Sequence, residues 1–121
     1  MNLLVLFAFL VVTVFGRRSG GWEDIQDLQE SSLLTVAAKV SEKYDTSSEV
    51  GYTTQVLKVR EGKKQVVSGM NYEMVVELGE TDCTKPKRDG CSLRSGGASH
   101  LVTARVWVQS WRNFYEVTLL D

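Results

Sequence analysis

Gln65-Val66-Val67-Ser68-Gly69 is the stretch on which the fold turns. Two β-branched residues running into Ser-Gly describe a tight turn with an apolar crest. Valines at a hairpin tip waste burial unless another surface covers them, because contiguous exposed apolar surface marks interaction sites. The same residues could instead lie mid-strand and buried, and these five positions alone leave both readings open. What decides lies to either side.

Upstream, Tyr52 to Arg60 alternates and is rich in β-formers. Downstream, Asn71 to Leu78 alternates with Tyr72, Met74, Val76 and Leu78 on one face. Two turns compete between these strands by composition, Glu61-Gly62-Lys63 and Ser68-Gly69. Farther upstream, Ile25, Leu28, Leu33, Val36, Ala37, Val40 and Tyr44 recur at three- and four-residue steps and predict an amphipathic helix from about Asp24 to Tyr44. Glu23, Asp24 and Asp27 then fall at its first turn, where they suit the macrodipole. Asp45-Thr46-Ser47-Ser48 and Gly51 end it. Farther downstream a polar insertion is expected from Gly79 to Ser99. Two more strands follow, His100 to Gln109 and Phe114 to Leu120, joined by Ser110-Trp111-Arg112-Asn113. One helix followed by four sequential strands predicts an α+β domain, an antiparallel sheet wrapped against a helix.

The chain has 121 residues, 43% of them apolar, and a formal charge of −1. These values suit one small globular domain and exclude a nucleic-acid binder, which needs a concentrated basic surface. Residues 1–16 differ from the rest: Leu3 to Phe15 is apolar except for Thr13. That run is too short to span a bilayer and reads as a signal peptide cut before Arg17, leaving 17–121 as a secreted domain with no membrane anchor. In an oxidising compartment Cys83 and Cys91 are expected to form a disulfide around a polar, turn-rich loop. Closing so short a loop contributes on the order of 2 to 3 kcal/mol in the chain-entropy treatment. The two cysteines and the single histidine, His100, make no zinc site, since tetrahedral zinc takes three or four protein ligands.

An enzyme must supply a nucleophile, a base or a metal. Cys83 and His100 could pair formally as thiol and imidazole, but Cys83 has a disulfide partner and both lie in or beside the polar insertion; His100 reads as a solvated strand-edge residue. Glu73/Glu77 and Glu23/Asp24 have the look of a solvent-facing strand side and a helix start, with nothing to distinguish an acid from a base. Gly20-Gly21, Gly69 and Gly96-Gly97 lack phosphate-loop spacing. No catalytic candidate survives, and no cofactor is implied. Trp22 and Trp107 are assigned to packing, while Trp111, flanked by Ser110 and Arg112, is left without a place in the core.

Gln65-Val66-Val67-Ser68-Gly69 resembles the Gln-x-Val-x-Gly motif of cystatins, reversible inhibitors of papain-like cysteine proteases. The resemblance covers nearly all of 17–121: a glycine ahead of the helix at Gly20, the helix, Asn71-Tyr72 with Val76-Glu77-Leu78-Gly79, Cys83-Thr84-Lys85, and a tryptophan hairpin at Trp111. It is similar to the secreted, type 2 members. The likeness implies one long helix cradled by a bent four- to five-stranded antiparallel sheet, with Glu61-Gly62-Lys63 inside a bent strand and the first hairpin tip at Val66 to Gly69. It further implies that the Gly20 arm, that tip and a second tip at Ser110-Trp111 line up along one edge and plug a protease cleft. Gly20 lets the backbone pass the reactive thiol without collision. Val66, Val67 and Ser68 form the first tip, Gly69 permits its turn and Gln65 fixes its base. Covering the Trp111 side chain gives a gross gain of about 4 to 6 kcal/mol before association entropy is subtracted. The implied partners are papain and cathepsins, engaged by a monomer, with a domain-swapped dimer as the alternative state.

Several positions depart from the family pattern. Type 2 cystatins usually carry a second disulfide; its third cysteine would fall at about Val102 and its fourth just past Asp121, so one bridge is expected here and a smaller stability margin with it. Ser110-Trp111 stands where Pro-Trp is usual, giving up proline's restriction of φ. Arg18 and Ser19 stand where aliphatic residues fill protease subsites. The loop Ser47-Ser48-Glu49 has no asparagine, so inhibition of legumain is not implied.

Overall fold

The computed structural model describes residues 21–120. In chain order these form β1 (Glu23–Asp24), α1 (Ser31–Ser47), β2 (Tyr52–Val67), β3 (Gly69–Thr84), β4 (Ser99–Gln109), a 3-10 turn (Ser110–Arg112) and β5 (Phe114–Leu119). The strands make one antiparallel sheet in sequence order, β1 to β5. This is the expected α+β architecture, a helix laid across a bent sheet. Register shifts at Tyr52/Thr54, Val56/Lys58 and Val59/Glu61 bulge β2, and bulges of this kind curve a strand. Glu61-Gly62-Lys63, a turn by composition, lies inside β2 as the resemblance implied.

The core follows from two periodicities meeting. Leu33, Val36, Ala37 and Val40 form the buried stripe of α1. Against it pack Val59 of β2, alternate residues Met74, Val76 and Leu78 of β3, and Val102, Ala104, Val106 and Val108 of β4. Val102, where the family's third cysteine would stand, is a buried core residue opposite Val76, so packing occupies the place of a bridge. Cys83 and Cys91 are joined, and among the described residues neither cysteine is free. No described helix is long and apolar enough to cross a membrane. The expected signal segment 1–16 lies outside the described residues.

The helix begins later than its apolar spacing predicts. Glu23 and Asp24 pair with Lys64 and Lys63 as a short edge strand, and the Ile25 N–H donates to the Gly62 carbonyl at 3.0 Å. The Asp27 carboxylate accepts the Gln29 N–H at 3.0 Å, closing a local turn that competes with helix. The three acidic residues therefore stand ahead of α1, whose first turn contains none. Ile25 and Leu28 still pack on the core, from a non-helical segment of strand end and turn that passes so close to β2 that a Cβ at Gly62 would lie 3.3 Å from both side chains.

The helix also ends later, at Ser47, because Asp45 does not compete for its own backbone. Asp45 is buried; its carboxylate accepts the Thr54 hydroxyl at 2.8 Å and pairs with Arg88 of the disulfide loop. Ser41 joins this group through Thr54 and Arg88.

The expected polar insertion is also shorter, since β3 continues through Thr84. Glu80 and Thr81 are polar yet buried, each with a partner: Thr81 with the Thr53 hydroxyl at 2.8 Å, Glu80 with Arg94 at 2.6 Å and His100 at 2.9 Å. His100 is thus half-buried, hydrogen-bonded to the Glu80 carboxylate with its ring tilted against Tyr44 at 5.5 Å, and not a solvated edge residue. The hydrogen bonds from Arg94 and His100 hold the Glu80 carboxyl below its ordinary value, against burial that pushes it up. A carboxyl depressed in the fold contributes stability above its unfolded pKa and loses it as pH falls through the folded one. Stability should therefore fall below about pH 4, given an unfolded Glu near 4.3. In Glu80→Gln the difference between urea midpoints at pH 7 and pH 3 should shrink; an unchanged difference would assign the acid sensitivity elsewhere.

Candidate functional site

The sheet register builds the site. Val66 pairs with Met70 and Val67 with Gly69, which leaves Ser68 at the apex of the first tip. Gly69 has φ +98°, a conformation that side chains rarely adopt. The Gln65 Oε1 accepts from Asn71 Nδ2 at 3.3 Å across the base of the hairpin, where the two residues are ladder partners. Val66 and Val67 are 67% and 40% exposed, so the valines are at a tip and not mid-strand in a core.

The pairing of β3 with β4 starts at Met70 opposite Val108, setting the first residues after one tip beside the last residues before the other. That second tip is the 3-10 turn at Ser110, Trp111 and Arg112, released into β5 by Asn113 at φ 50°. Asparagine tolerates this left-handed conformation better than most residues. Trp111 is 66% exposed, so its indole lies outside the core, as its polar flanks predict. The register thus places Val66, Val67, Ser68, Gly69, Ser110 and Trp111 at one end of the sheet.

The third expected element is partly in view. Because β1 runs antiparallel to β2, the chain followed backward from Glu23 heads along β2 toward the first tip, as far as Gly21. Gly20, with Arg18 and Ser19, lies outside the described residues. Trp22 is half-exposed on the outer face of the sheet, with Lys63 Nζ and the Arg105 guanidinium 5.5 and 5.6 Å from its ring. Its packing is therefore against cations, both of which reach Glu73 at 3.6 Å, and not against the apolar core.

Trp107 was expected only to pack, and it does more. Its indole N–H donates to the Ser68 carbonyl at 2.9 Å while its ring meets Phe114 edge-on at 5.5 Å. Gln109, unmarked by any sequence signal, is only 6% exposed and donates from Nε2 to the same carbonyl at 3.1 Å. Alternation along β4 could have shown that Trp107 faces away from Val106 and Val108, but not that it reaches Ser68. Trp107→Phe should keep the ring contact, lose one hydrogen bond to the apex and cost about 1 kcal/mol in urea unfolding. A cost near zero would show that Gln109 alone holds Ser68.

Among the described residues, this end of the sheet presents no thiol or imidazole. Cys83, Cys91 and His100 are committed to the disulfide and the Glu80 cluster. The open groove beside the first tip, about 410 Å3, is lined by Val67, Ser68, Asn71, Arg105, Trp107, Glu116 and Thr118, with no thiol or imidazole. What the site offers is shape: two narrow tips, apolar at their crests, braced from behind.

The cystatin domain family model matches residues 20–111. L-cystatin of Tachypleus tridentatus is 34% identical over 99% of this chain and 93% of its own length. Cystatin-1 of Chilobrachys guangxiensis is 31% identical over 93% and 90%. The crystal structure of dimeric human cystatin F superposes with a TM-score of 0.77, covering 84% of this chain and 86% of that one; at 23% identity this likeness bears on the fold alone. Cystatins are protease inhibitors and not enzymes, in keeping with a site that has shape and no reacting group. With the domain match spanning most of its length and relatives above 30% identity along nearly all of it, this chain belongs to the cystatin family.

Proposed function

We propose that this protein is a reversible, tight-binding inhibitor of papain-like cysteine proteases, secreted after removal of residues 1–16, that occludes the active-site cleft with the Gly20 arm and two hairpin tips. The observation that carries this reading is the adjacency of two exposed apolar tips at one end of the sheet. A cleft with apolar walls and a catalytic cysteine and histidine at its floor can be filled by such a wedge. Because the wedge places no scissile bond at the thiol, the complex dissociates unchanged. The arm is the weakest part of the wedge, since Arg18 and Ser19 suit apolar subsites poorly, so the two tips carry most of the affinity.

Those same two residues, with Ser110 in place of proline, favour a second reading: a secreted module of this fold that binds without inhibiting. Titrating papain and a cathepsin with residues 17–121 separates the two. Stoichiometric or submicromolar inhibition supports the first; full protease activity at micromolar inhibitor favours the second.

A further inference from the structure

The second tip lacks the proline that would restrict its backbone, yet the residue before it is committed on both sides. Gln109 is almost fully buried and uses both ends of its amide. Its Oε1 accepts from Arg112 Nε across the 3-10 turn, and the Arg112 guanidinium lies 4.3 Å over the Phe114 ring. Its Nε2 donates to the Ser68 carbonyl at 3.1 Å and lies 3.4 Å from the Ser68 hydroxyl. One side chain therefore spans from the turn that carries Trp111 to the Ser68 apex that follows the two valines. The contacts share one rotamer, so displacement of either tip relative to the other strains the hold of this side chain on both.

We infer that Gln109 is a positioning residue that locks the two tips in fixed relation before a protease arrives, doing by hydrogen bonds what a proline at position 110 would do by covalent restriction. The inference rests on the inhibitory reading above. Pre-organisation of this kind lowers the ordering cost of binding without adding a contact. The backbone is compatible with the exchange: Gln109, at φ −123° and ψ 90°, is extended and outside the helical region that a following proline disfavours, and Ser110 opens a 3-10 turn, where a fixed φ near −65° is tolerated.

The test is a double-mutant cycle in the full mature chain. Gln109→Leu preserves bulk and removes both hydrogen bonds; Ki for papain should rise roughly tenfold, the consequence of about 1.4 kcal/mol of lost pre-organisation. Ser110→Pro should lower Ki by about threefold at most in the natural background but restore most of the tenfold loss in the Gln109→Leu background. Gln109→Glu, which keeps an acceptor for Arg112 but sets a carboxylate against the Ser68 carbonyl, should weaken inhibition as Leu does. Equal effects of Ser110→Pro in both backgrounds would overturn the inference, as would inhibition by Gln109→Glu as strong as that of the unaltered chain. If the unaltered chain fails to inhibit, the inhibitory reading fails first. The coupling is then read by backbone 15N relaxation, where Gln109→Leu should loosen residues 66–69 and 110–113 together; loosening of one tip alone would overturn it.

Discussion

Gly69→Ala is expected to cost about 3 kcal/mol of stability and to abolish tight inhibition with it. A methyl group built on Gly69 would sit 2.2 Å from the Val108 carbonyl oxygen and 3.0 Å from Gln109 Cγ, on a backbone at φ +98°. The first contact is with main chain, which cannot swing aside as the end of a side chain can. Relief requires β3 to move off β4 where their pairing begins, at Met70 and Val108. That movement would carry Ser68 away from Trp107 and Gln109, and the valine crest with it. Gly96→Ala is the control, since Gly96 also has positive φ, at 71°, but a Cβ there meets nothing within 4 Å. It should show the conformational strain alone, about 1 kcal/mol. Urea unfolding and papain titration measure both variants. If Gly69→Ala unfolds at the same midpoint as Gly96→Ala, the collision is being relieved by a route the register does not show.

The contrast between these glycines bears on what could be read from sequence. The valine turn is legible only through the resemblance to cystatins, since its five residues fit a buried strand equally well and composition offers Glu61-Gly62-Lys63 as a competing turn. The core stripe of α1 and the alternation of β3 were legible because each repeats one periodicity several times. The misreadings arose where a single side chain answered a distant partner. Ile25 and Leu28 fit helical spacing but pack from a non-helical segment, because Lys63, Lys64 and Gly62 offer a strand edge that local pattern does not encode. Glu80 and Thr81 looked like loop residues because polarity was taken for exposure, whereas Arg94, His100 and Thr53 satisfy them inside. Asp45 reads as a helix terminator for the same reason, while its buried carboxylate is engaged by Thr54 and Arg88. The brace behind the tips, Trp107 and Gln109, escaped notice on identical grounds: its bonds join residues 39 and 41 positions apart, to a carbonyl that carries no side-chain signature.

Trp111→Ala should separate binding from folding more cleanly than any other change at the rim. About two-thirds of the indole is open to solvent in the free protein, so truncating it removes little intramolecular packing and should leave the melting temperature nearly unchanged. In a complex the same surface would be covered. Two-thirds of a tryptophan's 150 to 250 Å2 corresponds to roughly 2.5 to 4 kcal/mol gross, from which side-chain ordering is subtracted. A loss of about 2 kcal/mol or more in inhibition is expected, a rise of roughly thirtyfold in Ki, appearing mainly as faster dissociation because contacts at an anchor act on residence time. Trp111→Phe should fall between the two, since it keeps an aromatic face but less area. The pairing with Gly69→Ala gives the comparison its force: one variant should lose affinity and stability together, the other affinity alone. A Trp111→Ala protein that melts several degrees lower and inhibits as before would move the indole from the binding crest to a structural contact, leaving the valines to carry the wedge without it.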